Sequence, residues 1–517
     1  MRDRENRRVS KLYFRNKLKN LLKKTRLRDL LILIWSVENV RSGNPKVAQR
    51  FLSFPKDAVS AKPGDGYFVA PWTLETLINE ALVHHLASQD SRRYLDASLW
   101  KSFVSFHNLI NDIENAESLD DIPDDGILAA IPRIGWRQFG WQIGYRTSQR
   151  YFRAWWLYNF PEANQFCQEN YGITVERFSF VGFAVASQLV QYPAVKIDAN
   201  MQKAGITEDE QNAFFALVSL GSMAAKKTAR EQRHGRGQIA YKPSILRRWP
   251  MIEIAREAFC PLPDLLHLRV SDGIFYDLVG NDNLRRIIAD RFEAYVAEVT
   301  KHYMPKLQIL REEQYGRRSK SRATPDLRVA TNENELCVII ECKARRIPFK
   351  VTSSPDPYIE HEDIYSELIK GVLQVRHYIS DTRTGSADAN WSVVEGVVGV
   401  VLMLEPWLQM DAVTITKILD AAAVDCAKHP KITEEDQIPI AFVAVDDWEY
   451  SIRQTDADGF LRALSIHATA HKSGFLLDSS VQEIKAEHGP SVGDYDYSAG
   501  IARVTDWWAG IGQGRVP

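Results

Sequence analysis

Thr324-Pro325-Asp326-Leu327-Arg328-Val329 is followed, after a polar turn, by Cys337-Val338-Ile339-Ile340-Glu341-Cys342-Lys343. The two β-branched runs read as consecutive strands of a hairpin. Side chains alternate along a strand, so Glu341 and Lys343 project together while Ile340 and Cys342 face the other way. A carboxylate and an ammonium therefore share a strand end, and Asp326 reaches the same spot if the preceding strand pairs beside it. Two carboxylates there suit a hard divalent cation, Mg²⁺ or Mn²⁺, which takes oxygen ligands and, for Mg²⁺, retains several waters. A metal held by Asp326 and Glu341 can polarise a phosphoryl oxygen and acidify a bound water. Lys343 would position that water or neutralise a pentavalent phosphorane. The plain alternative is an exposed Glu/Lys pair closing a buried strand, which is commonplace and energetically small.

The neighbouring elements favour the first reading. Leu284, Ile287, Ile288, Phe292, Tyr295, Val296 and Val299 recur at helical spacing before the hairpin, and Ile364, Leu368, Val372, Val375 and Ile379 do so after it. On the second helix Glu367, Gln374 and Tyr378 lie seven and four residues apart and so share a face beside the apolar one.

Pro325-Asp326, then Glu341-x-Lys343, then Gln374-x-x-x-Tyr378 resembles the PD-(D/E)xK nuclease superfamily, whose restriction-endonuclease-like core runs α-β-β-β-α-β. The Gln-x-x-x-Tyr element resembles that of its exonuclease and DNA-repair branch. The resemblance implies that Asp326 and Glu341 bind the metal, that Lys343 assists the water, and that Gln374 and Tyr378 line the site. Family members often add a glutamate from the first helix, and Arg291-Phe292-Glu293-Ala294-Tyr295 resembles that context, although Glu293 lies well off the centre of the apolar stripe and reads equally as a solvated surface residue. The resemblance covers roughly Leu284 to Tyr450.

With 517 residues the chain has room for two to four domains. Hydrophobic and charged contents of 45% and 25% are ordinary for a soluble globular chain. The basic stretch Met1–Arg28 lacks a small-residue cleavage site, and the apolar run Leu30–Ile34 is too short to span a bilayer, so neither a signal peptide nor a membrane partner is expected. Five cysteines without metal-type spacing fit a reducing cytoplasm. His467 and His471 are spaced for one helix face but lack a third ligand and read as structural.

A net charge of −1 excludes a uniformly basic nucleic-acid coat. Local clusters remain at Met1–Arg28, Lys226–Arg236 and Arg317-Arg318-Ser319-Lys320-Ser321-Arg322. The last leads into the strand of Asp326, where Arg317, Arg318, Lys320 and Arg322 are well placed to hold phosphates. From Arg133 to Phe160 there is no acidic residue, and Trp136, Trp141, Tyr145, Tyr151, Trp155 and Trp156 interleave with Arg137, Arg146, Arg150 and Arg153. That is either a surface on which bases stack or a Trp-rich core helix with a wet arginine side, and the second is favoured.

The expected organisation is multidomain: a basic helical arm (1–54), a mostly α recognition or regulatory domain (55–250), a C-terminal α/β domain with a mixed central sheet flanked by helices (251–488), and a Gly-rich extended tail (489–517). The expected function is a cytoplasmic, Mg²⁺-dependent nuclease. The resemblance favours DNA over RNA, and a part in prokaryotic defence against phage or mobile DNA rests on analogy alone. Its rivals are a non-catalytic nucleic-acid-binding scaffold and a partner-activated RNase. A protein partner or homo-oligomer is left open.

Overall fold

The computed structural model describes residues 2–85, 96–118, 131–232, 238–316, 321–347, 362–387, 390–406 and 408–498, with side chains from Ser10 onward. The chain mixes helix and sheet, and its described residues divide into two compact units, one formed by those up to 118 and from 137 to 280, the other by 131–136 and those from 281 to 498. Among the described residues no helix is long and apolar enough to cross a membrane.

The first unit is mainly helical. Leu18 and Leu22 of the helix Arg2–Leu22, together with Leu30, Leu31 and Ile34 of Leu27–Arg41, join one core with Leu74, Leu77, Phe103 and Phe106. The stretch read as a basic arm is therefore part of a core, because an i, i+4 apolar stripe runs beneath its many basic residues. The unit also holds a four-stranded sheet of very short strands, in the order Ala194–Lys196, Glu257–Phe259, Met251–Ile254, Ser219–Gly221. Strands of three or four residues show too little alternation to be read from sequence. Since 251–259 pairs into this sheet, the unit boundary falls at Gly280/Asn281 and not at 250/251.

The second unit begins with helix α1, Asp282–Tyr303, whose N-cap Asn281 accepts from the amides of Asn283 and Leu284. Asp282 in its first turn and Lys301 and His302 in its last complement the helix dipole. Strands β1 (Gln308–Arg311), β2 (Leu327–Ala330) and β3 (Glu335–Lys343) follow as an antiparallel run. The β2–β3 turn is closed by Thr331, whose hydroxyl accepts from the Glu333 and Glu335 amides, while Asn334 takes φ of 61°, a left-handed conformation that asparagine tolerates.

Helix α2 (Glu362–Arg383) then leads to β4 (Ser392–Met403), parallel to β3, and helix α3 (Ala412–Cys426) leads to β5 (Ile440–Ala444), parallel to β4. The sheet order is β5-β4-β3-β2-β1. Ile364, Leu368, Val372 and Val375 of α2 bury against Ile339, Val401 and Phe442 in one core, at roughly 1.5–3 kcal/mol per side chain removed from water. Residues 489–498 do not extend away: the Tyr495 amide donates to Tyr303 Oη at 2.9 Å, and Tyr497 is buried.

Candidate active site

The register of β2 on β3 pairs Leu327 with Ile340, so one step further Asp326 lies beside Glu341. Asp326 Oδ2 accepts the Cys342 amide at 2.6 Å, which ties the carboxylate to β3. Glu341 and Lys343 share a face at the carboxyl end of β3, with Lys343 Nζ donating to Glu341 Oε1 at 2.9 Å. In open sheets the carboxyl ends of parallel strands are where ligands bind. Helix α2 crosses this face: a Cβ built on Gly371 would lie 3.0 Å from Lys343 Cε and 3.3 Å from Glu341 Cγ. One turn on, Gln374 Oε1 is 3.5 Å from Lys343 Nζ, the outer limit of a hydrogen bond. Asp326, Glu341, Lys343 and Gln374 thus lie together.

Glu293 of α1 is also drawn in. Its carboxyl is pushed up to about 7, by burial first and then by Asp290 and Glu312, with Glu341 adding to the repulsion and Arg311, 3.8 Å away, opposing it. Of the two readings of Glu293, the solvated one does not apply, since its side chain is 17% exposed.

Electrostatics follow from burial. Asp326 is raised to about 8, chiefly by desolvation and then by the like charges of Glu341 and Glu293, against the Cys342 amide and Lys343. Glu341 is raised too, mainly by desolvation, which the adjacent Lys343 only partly offsets. Desolvation alone would lower Lys343, but Glu341 and Asp326 hold it above its ordinary range. Two carboxyls this close titrate as a pair, and near neutral pH the pair retains a proton.

Tyr378 departs from expectation. It is 2% exposed, and its hydroxyl accepts from Arg328 Nη1 at 3.2 Å, so it lies within the core and not on an open wall of the site. Glu367 is engaged by Arg345 at 2.7 Å. Arg322 donates to Asp381 at 2.9 Å, as does the Tyr315 hydroxyl at 2.8 Å, which anchors the two-stranded ribbon Gln314–Tyr315/Arg322–Ala323 to α2. Arg317, Arg318 and Lys320 lie outside the described residues.

Among the described residues no group of three or more His, Cys, Asp or Glu side chains is gathered to hold a metal ion. The donors present are two carboxylates, and Glu341 Oε2 is buried with no hydrogen-bond partner among the described residues. An orphaned carboxylate oxygen beside a second carboxylate fits a cation that keeps most of its own water, as Mg²⁺ does.

Other candidates resolve structurally. Arg137 pairs with Glu114, Arg146 with Asp264 and Arg150 with Asp272, while Trp141 Nε1 donates to Glu75 at 3.0 Å. The described aromatic residues and arginines from Arg137 on are thus engaged in packing and ion pairs within the first unit, but Arg150 and Arg153 are buried and not on a wet side, and Trp136 packs in the second unit. In the second basic cluster Lys226 donates to the His85 carbonyl and Arg230 to that of Val83. His467 ends its helix and is held down to about 4 by burial, while His471 sits in the following turn.

Two contributors were not anticipated from the sequence. Gly371 occupies a stripe position of α2, three residues after Leu368 and four before Val375, and a glycine where an apolar side chain is due signals close approach. Arg328, between Leu327 and Val329, carried no comparable signal. The chain matches no protein-family model, no curated protein and no solved structure.

Proposed function

We propose that the unit containing Asn281–Ala499 is a metal-dependent phosphodiesterase, a nuclease of PD-(D/E)xK type acting on nucleic acid, with DNA favoured over RNA. The observation that carries this reading is the meeting of Asp326, Glu341 and Lys343 at one strand end, with the lysine held between Glu341 and Gln374. The order α1-β1-β2-β3-α2-β4, with three antiparallel strands and a fourth parallel to the third, supports it, since it corresponds to the core the motif resemblance implies.

Asp326 and Glu341, the latter with Oε2 unpartnered among the described residues, would hold Mg²⁺, which would polarise a phosphoryl oxygen and acidify a water there. Lys343 keeps its charge and presents Nζ at the mouth of the carboxylate pair, where it orients a water or meets charge building on phosphate oxygens. Gln374 fixes the ammonium from the helix side. Burial keeps the site dry enough for these interactions to count.

The test is direct. Purified protein is incubated with labelled single- and double-stranded DNA and RNA in Mg²⁺, Mn²⁺ or EDTA. Cleavage that requires metal and disappears in Asp326→Ala and Glu341→Ala supports the reading. Equal products from wild type and both variants would sink it. Defence against phage remains an analogy, testable by challenging cells that carry active or Glu341→Ala protein.

A further inference from the structure

Arg328 stands two residues along β2 from Asp326 and points to the same face of the strand. It is 2% exposed. Its guanidinium reaches three separate parts of the chain: Nη1 donates to Tyr378 Oη on α2 at 3.2 Å, and Nη2 donates to the Arg311 carbonyl at the end of β1 at 3.0 Å and to the Glu313 carboxylate. Nε finds no partner among the described residues.

This is an uneconomical way to stabilise a core. Glu313 is 64% exposed, so much of its charge is answered by water. The other two acceptors are neutral. A buried cation so incompletely paired contributes little net stability, and an apolar side chain of similar length generally does as well or better. What a guanidinium supplies and an apolar chain cannot is a rigid fork that fixes several acceptors in one plane.

Those acceptors frame the site. Tyr378 lies one helical turn beyond Gln374, about 6 Å along α2, and Gln374 meets Lys343. Asp326 leads directly into the strand that carries Arg328. Resting on the nuclease reading above, we propose that Arg328 is a positioning residue that locks α2 to the Asp326 strand through Tyr378 and so keeps Gln374 at Lys343. Tyr378, closed off from solvent, acts through Arg328 and not on the substrate.

The test compares Arg328→Met, Arg328→Lys and Tyr378→Phe in the full chain. Three quantities are read: Mn²⁺ affinity, kcat on an oligonucleotide, and hydrogen exchange of the amides of 371–378. Arg328→Met is expected to bind Mn²⁺ as wild type does, to exchange faster over 371–378, and to lose about 10- to 100-fold in kcat, the scale of small misplacements in an active site. Arg328→Lys recovers part of the loss, and Tyr378→Phe shifts the same quantities less. Wild-type kcat in both Arg328→Met and Tyr378→Phe overturns the proposal, as does a parallel loss of Mn²⁺ affinity and kcat. If Arg328→Met does not fold, Tyr378→Phe decides by the same criteria. A wild-type protein that neither binds Mn²⁺ nor cleaves defeats the nuclease reading instead. The exchange data then judge Arg328 alone, and unchanged protection over 371–378 in Arg328→Met overturns its role.

Discussion

Gly371 lies so close over Lys343 that a single added methyl would come within 3.0 Å of the lysine Cε. The helix backbone at this point rests directly on the Lys343 and Glu341 side chains, with no side chain of its own in between. Gly371→Ala should therefore push Lys343 and Glu341 aside. The helix itself gains up to about 1 kcal/mol in propensity, so stability should change little while kcat falls by about tenfold or more. Thermal melting and single-turnover cleavage measure the two effects, and an unchanged kcat would show that Lys343 has room to spare.

Neutralising either acid should separate function from folding. In Asp326→Asn or Glu341→Gln the crowding of buried carboxyls is relieved, so the metal-free protein at pH 8 should be more stable by on the order of 1 kcal/mol or more. Mn²⁺ binding and cleavage should be lost together. A melting curve in EDTA beside a Mn²⁺ titration gives both answers.

The pH dependence has a definite sign. Asp326 has a folded-state value near 8, above its unfolded value of 3.8. Its burial is therefore tolerated fully at low pH, and the metal-free protein loses that stability as pH rises from about 4 to about 8. Metal must displace the retained proton, so Mn²⁺ affinity should climb over the upper part of the same window and level off above about 8. Calorimetry in buffers of different ionisation enthalpy should detect proton release on binding. A flat affinity profile between pH 6 and 8, to which about two units of titration contribute on this account, would count against the retained proton.

Gln374 and Lys370 are both exposed on α2, but only Gln374 touches Lys343. Gln374→Ala should slow cleavage several-fold, whereas Lys370→Ala, equally helical, should not. Matching rates for the two variants would remove Gln374 from the site.

The basic segment before Asp326 should act on affinity and not on chemistry. Replacing Arg317, Arg318 and Lys320 by alanine in the Asp326→Asn background should weaken oligonucleotide binding and make its salt dependence shallower, by about one unit of slope for each phosphate no longer neutralised. Superimposable salt series for the parent and the triple variant would mean that other residues neutralise the phosphates.

The local pattern of residues by itself determined the hairpin, its β-branched alternation, the shared face of Glu341 and Lys343, and the two amphipathic helices on either side, because each depends on periods of two or 3.6 residues within one segment. It also favoured packing for the aromatic residues from 133 to 160, but it put their arginines on a wet side, where Arg150 and Arg153 are in fact buried. Long-range packing decided the rest. Whether Glu293 faces water or the carboxylate pair depends on how α1 lies on the sheet, which its marginal position on the stripe left open. That Tyr378 is buried depends on Arg328, fifty residues earlier, and no local period links the two. The core role of the basic N-terminal helices was hidden by their charge, and the small sheet of the first unit by strands of three or four residues. The raised carboxyls are likewise a tertiary effect, since desolvation exists only once α2 has closed over β3 and Gly371 has brought it to van der Waals distance of Lys343.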